Sequence, residues 1–228
     1  MLAFVAGAIN AGGFLAIHQY TSNMTGHVSS MADDIALERY ALALTGLGVL
    51  LSFMAGAACC AIMVNYARRR HLHSEYALPL LLEAALLLCF GLLGAKIAQI
   101  DGSHLSMIAM LLGFIMGLQN AVITKISKAE IRTTHVTGLV TDIGIELGKL
   151  AYWNRHAHPG EAPVQANFER LALFSRLVIS FFSGGVLGAW GFKHLGYLST
   201  LPLALLLVLL VITPVSDDIR ARLRRETV

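Results

Sequence analysis

Two short polar segments interrupt an apolar chain: Thr21-Ser22-Asn23-Met24-Thr25-Gly26 and Thr133-Thr134-His135-Val136-Thr137-Gly138. In each, a Thr-Gly pair lets the chain turn and start a short helix. A helix N-terminus offers unpaired N–H groups and partial positive charge to an anion or a carbonyl. Thr and Ser hydroxyls and Asn amides add neutral donors and acceptors. His27 and His135, beside and within these segments, can titrate or ligate. Acids follow at helical spacing, Asp33 and Asp34 in one case, Asp142 and Glu146 in the other. Asp142 and Glu146 are four apart, share a helix face and can bind a proton or a cation.

Three amides complete the set. Asn10, Gln119 and Asn120 lie about halfway along apolar runs. The candidate solute-binding residues are therefore Asn10, Ser22, Asn23, Thr25, Gly26, Gln119, Asn120, Thr134, Thr137 and Gly138. Asp142, Glu146, His27 and His135 are the candidates for ion or proton coupling. A plainer reading stands beside this one. Thr/Gly turns also cap helices at a membrane surface, acids there face water, and an Asn within a span can join helices.

The elements that must position these residues follow from composition. Of 228 residues, 56% are hydrophobic and 14% charged, with a mean hydropathy of +0.67. Soluble domains carry about 25% charged residues, so this chain cannot cover a water-facing surface. An ordinary soluble enzyme, a disordered tail and a disulfide-stapled module are excluded. Cys59, Cys60 and Cys89 all lie in apolar runs and read as small packers.

Six apolar runs can cross a bilayer, at 2–18, 43–65, 78–98, 104–124, 172–192 and 197–213. Residues 2–18 lack the basic start of a signal peptide and read as a retained span. Thirteen Lys and Arg residues then fall on one side and three on the other, with Arg176 inside the fifth span. This asymmetry puts both termini in the cytoplasm. Glu83 and Arg176 each lie about five residues into a span that starts at the cytoplasmic face. A charge there is costly unless paired, so a Glu83–Arg176 structural pair is expected.

Self-comparison finds four matches in one order. Ala6–Ala11 resembles Met116–Ala121, Thr21–Gly26 resembles Thr133–Gly138, Leu51–Gly56 resembles Ile179–Gly184, and Pro79 matches Pro202. The offsets are 110, 112, 128 and 123. Each half holds three spans, and an odd number reverses the second half. The expected fold is all-α, with six transmembrane helices in two inverted three-helix repeats and re-entrant or broken helices at the Thr/Gly motifs. The expected units are 1–100, 104–213 and a basic cytoplasmic tail at 214–228. Small residues spaced by four, Ser52/Gly56/Cys60, Ser180/Gly184/Gly188 and Gly113/Gly117, would let helices approach closely.

No zinc, nucleophile-elbow or P-loop motif occurs. The expectation is no enzyme, no cofactor, no metal and no nucleic-acid partner.

The stretches "LAFVAGAINAGGFLAI", "TSNMTGH", "MGLQNA" and "TTHVTGLVTDIG" resemble the YoaK family of bacterial inner-membrane proteins, which carries a domain of unknown function. Matching positions are Ala6, Gly7, Ala11, Gly13, Phe14, Met24, Thr25, Gly26, Gly117, Gln119, Asn120, Ala121, Thr133, Thr134, Thr137 and Gly138. Asn10 stands where many relatives carry Asp, and His27 where they carry Asn. The resemblance implies a multi-pass inner-membrane protein and no particular substrate. Together these features point to a small secondary transporter or channel-like permease for a small polar or ionic solute. The alternative is a non-transporting scaffold or partner subunit. Membrane lipids and the solute are the expected partners, and a homodimer is compatible with the small-residue faces.

Overall fold

The computed structural model describes residues 1–70, 72, 74–97, 105–126, 136–152 and 163–226. Among these, the elements are helical throughout: α1 (Leu2–Ile17), α2 (Met24–Ala36), α3 (Tyr40–Arg69), α4 (Ala77–Ile97), α5 (Leu105–Ile126), α6 (Val136–Ala151), α7 (Phe168–Leu195), a 3-10 turn (Gly196–Ser199) and α8 (Thr200–Glu226). Six of the eight α-helices overlie the apolar runs. The other two, α2 and α6, follow the two polar motifs.

Four apolar segments are long enough to cross a bilayer: Tyr40–Arg69, Ala77–Gly94, Ser106–Ile126 and Phe168–Ser216, the last running through α7, the 3-10 turn and α8. Helix α1 is apolar throughout but has only 16 residues. The outer faces carry uncovered Leu51, Met54, Ile62, Leu92, Ile179 and Phe182. Such a surface is unfavourable in water and at home in lipid.

Helix crossings set the architecture. Gly184 packs on Phe4 and Gly188 on Ala8, so α1 and α7 run parallel. Gly113 packs on Val49 and Gly117 on Phe53, so α3 and α5 run parallel. Helix α5 opposes α1, because Gly13 meets Leu112 while Gln119 Nε2 donates to the Leu2 carbonyl. Helix α4 opposes α5, with the Tyr76 hydroxyl donating to the Lys125 carbonyl. Helix α8 opposes α4: Ser74 at the α4 entrance donates from its N–H (2.8 Å) and its hydroxyl to Asp218, while Gly91 meets Thr200. The six apolar helices thus alternate in direction along the chain.

The closest approaches are reciprocal. A Cβ on Gly7 would lie 2.0 Å from the Phe181 carbonyl oxygen, and one on Gly117 would lie 2.0 Å from that of Phe53. A Cβ on Gly56 would lie 2.1 Å from the Phe114 oxygen, and one on Gly184 would lie 2.0 Å from that of Phe4. Adding 110 to the α1 residue and subtracting 128 from the α7 residue converts Gly7–Phe181 into Gly117–Phe53 and Phe4–Gly184 into Phe114–Gly56. At Gly7, Gly56, Gly117 and Gly184 the helices therefore meet backbone to backbone, and only glycine fits.

Helix α8 does not stop at 213; it continues through Pro214 to Glu226, so the basic segment 214–226 is helical and continuous with the last apolar helix. A proline costs one backbone hydrogen bond and a ring clash, and a long helix can bend to absorb both. Glu83 and Arg176 do not pair. Glu83 is wholly buried with neither carboxylate oxygen bonded to the protein, whereas Arg176 is exposed. The depth argument placed them level, but α4 packs chiefly on α8 and α5, and α7 packs on α1.

Candidate functional site

Helix α1 ends at His18, which takes a left-handed conformation (φ 54°) and donates its N–H to the Phe14 carbonyl at 2.8 Å. The chain doubles back, and Tyr20 stacks on Phe14 with ring centroids 4.5 Å apart. Thr21 is buried against Gly13. Asn10, near the middle of α1, then takes hold of the returning segment. Its Oδ1 accepts from the Ser22 hydroxyl at 2.8 Å and from the Ser22 N–H at 3.3 Å.

That anchor sets the start of α2. Asn23 is the N-cap, its Oδ1 accepting the Gly26 N–H at 3.0 Å. A Cβ on Gly26 would sit 2.5 Å from the Asn23 amide, so glycine is what lets the cap fold over the helix end. The Thr25 N–H is left without an acceptor among the described residues.

A cavity of about 840 Å³ opens at this helix end. Asn10, Ser22, Asn23, Thr25 and Gly26 line it from the first half, and Val136, Thr137 and Gly138 at the start of α6 line it from the second. Phe53 and Phe181, two of the four phenylalanines whose carbonyls face glycines at the helix crossings, complete the wall together with Tyr20, Met24 and Ser29. Two helix N-termini therefore open into one space beside the middle of α1, α3 and α7.

The remaining expected residues are distributed differently. Thr134 and His135 lie outside the described residues. Gln119 is wholly buried, its Nε2 reaching the Leu2 carbonyl at 3.4 Å, and it does not line the cavity. Asn120 is half-buried and its carbonyl accepts from Thr124 Oγ1 at 2.8 Å; it too lies outside the cavity wall. His27 lines a neighbouring space of about 390 Å³ with Asp34 and Arg39. Its Nε2 is buried without a protein partner. Burial holds the imidazole below its usual pKa, partly offset by a hydrogen bond with the Tyr20 backbone.

Asp142 and Glu146 occupy a third space, of about 280 Å³, between α6 and α7. Asp142 is exposed. Glu146 is committed already: Lys149 Nζ donates to one oxygen at 2.8 Å and the Asn167 N–H to the other at 2.7 Å. These bonds hold its carboxyl below the usual range, Lys149 contributing most. The sequence-based grouping had missed Phe53 and Phe181. Their signal is present, since both fall in the third internal match.

The chain is thus an all-helical, multi-pass membrane protein with a polar cavity between its halves. Residues 1–213 match the family described as "Protein of unknown function (DUF1275)", and the chain belongs to that family. YoaK-like proteins are members of the same family. No curated protein and no solved structure matches the chain.

Proposed function

We propose that this protein is a small secondary transporter or channel-like permease for a small polar or ionic solute, which binds in the cavity between the two Thr/Gly motifs. The observation that carries the reading is the shared cavity. Segments more than a hundred residues apart, each starting a short helix, open their N-termini into one space. Converging N-termini favour an anion, a carboxylate or a carbonyl, and Thr, Ser and Asn side chains supply orientation.

The two halves are read as an inverted repeat. Supporting this are the alternation of the six apolar helices and the reciprocal glycine contacts under the sequence offsets. Irregular backbone at membrane depth is tolerated where it lines such a cavity. The protein resides in the bacterial inner membrane with both termini in the cytoplasm, in keeping with its basic residues. It performs no catalysis and needs no cofactor, metal or nucleic acid; lipids and the solute are its partners, and it can pair as a homodimer.

Uptake by proteoliposomes, screened over small anions, amino acids and neutral polar solutes, tests the proposal. Asn10→Ala and Thr137→Ala should each weaken apparent affinity by about tenfold, the worth of one hydrogen bond at roughly 1.4 kcal/mol. Uptake of no solute, or uptake indifferent to both substitutions, rejects it and favours the scaffold reading.

A further inference from the structure

Glu83 is a buried polar group that the cavity does not explain. It lies in the apolar helix α4, is 0% exposed, and has no protein hydrogen bond at either oxygen among the described residues. Its surroundings are apolar: Leu80, Ala84 and Leu87 of its own helix join one buried cluster with Leu118 and Val122 of α5 and Leu207 and Val211 of α8. A carboxylate left there has neither a donor nor a counter-ion to offset its lost hydration.

Packing does not call for a carboxyl at this depth. The offset of 123 that relates Pro79 to Pro202 relates Glu83 to Leu206. A leucine holds the equivalent place on α8, so the carboxyl is an addition to one half.

Water can come close. A space of about 230 Å³ opens at the end of the bundle where α4 begins, with Ser74 and Tyr76 at its polar side and Leu80 and Val211 among its apolar lining. Leu80 is about one turn, roughly 5 Å, from Glu83 along α4. The charged and titratable neighbours are few. On α3, Cys60 is within electrostatic reach of both Glu83 and the half-buried Lys125 of α5. On α8, the antiparallel register puts Val208 and Leu209 level with Glu83, and neither titrates.

We propose that Glu83 is a proton-binding site: it holds a proton in the helix core and exchanges it with water entering beside Ser74 and Tyr76. On release, the O–H bond breaks and the proton passes to water. A coupling role for this proton rests on the permease reading; the binding of the proton does not. In that role Glu83 replaces Asp142 and Glu146, which lie outside the core.

Infrared spectroscopy of the full chain in lipid nanodiscs, with ¹³C-labelled glutamate, reads the protonation directly. Expected at neutral pH is the carbonyl band of a neutral acid that shifts in D₂O, bleaches reversibly as pH rises, and is lost in Glu83→Gln. Should Glu83→Gln fail to fold, Glu83→Asp assigns the band, which then loses its ¹³C shift. A carboxylate at neutral pH, or a neutral acid that neither exchanges with D₂O nor bleaches, overturns the proposal. Proteoliposome uptake separates the two ideas: the full infrared pattern without any uptake leaves the proton site standing and removes the permease, and uptake without the band does the reverse.

Discussion

The α1–α7 and α3–α5 crossings repeat each other at their glycine-to-carbonyl contacts, while the corners that join α2 to α3 and α6 to α7 repeat only in part. At the crossings, Gly7, Gly56, Gly117 and Gly184 each face a backbone oxygen of the partner helix at the same spacing. At the corners, the offset of 112 equates the two buried positions of α2, His27 and Asp34, with those of α6, Leu139 and Glu146. Both acids bind the residue that caps the next helix. Asp34 does so through the Arg39 guanidinium at 2.8 Å, Glu146 through the Asn167 N–H. Glu146 then takes its cation, Lys149, from its own helix.

The difference has a physical cause. Two backbones in van der Waals contact leave no room for any Cβ, so the residue type is dictated on both copies. A buried carboxylate needs only to be neutralised and hydrogen-bonded, and a long cation can reach it from several places. His27 against Leu139 is the freest substitution of all, polar in one corner and apolar in the other.

The strongest challenge to this symmetry is substitution at the crossings. Gly117→Ala and Gly7→Ala should each destabilise the protein by about 3 kcal/mol, the upper end of overpacking costs, because a backbone must move. Equal losses in thermal stability in detergent are expected from the two. In contrast, Gly144→Ala and Gly148→Ala in α6 meet nothing within 4 Å and should gain about 1 kcal/mol of helix propensity. Alanine tolerated at position 117 would refute the close crossing.

The corners differ next in acid response. Burial lowers the His27 pKa, so below the ordinary value of 6.5 the unfolded chain takes up protons that the folded one resists. Stability should fall as pH drops through about 6.5, and His27→Leu, which copies the second corner, should abolish that step in a thermal-shift series. Glu146 acts lower. Its carboxyl is depressed, so its contribution is full above 4.5 and is lost as pH falls through the folded-state value. His27→Leu should leave this second step in place; a variant that still loses stability near pH 6.5 removes His27 from the account.

The smallest effect expected is at the α2 cap. Asn23→Ala removes the acceptor of the Gly26 N–H and should cost about 1 kcal/mol. Amide exchange at Gly26 should quicken while that of α3 is unchanged. Exchange quickening throughout the bundle would mean that the cap holds more than its own helix.

Much of this architecture was legible in the residues. Six apolar runs became six apolar helices because burying backbone polar groups in lipid demands helices, and hydropathy is local. The small-residue spacing at Gly56, Gly117 and Gly184 marked faces where helices can approach closely, but which helices meet there, and the part of Gly7, came from the packing. The cavity was legible only in part. Thr25, Gly26, Thr137 and Gly138 announced themselves as motifs, but Gln119 and Asn120, taken with them, face elsewhere. An amide in an apolar helix signals a polar environment and says nothing about which side of the helix holds it.

Sequence by itself determined the class and where the apolar helices run, since hydropathy is a property of the chain read along its length. Tertiary structure decided which polar groups meet. It brought two distant helix starts to one cavity, gave Glu146 and Asp34 their partners, and left Glu83 without Arg176. Those outcomes depend on which helix lies beside which and on the rotation of each about its axis, and neither is written in the spacing of residues along one helix.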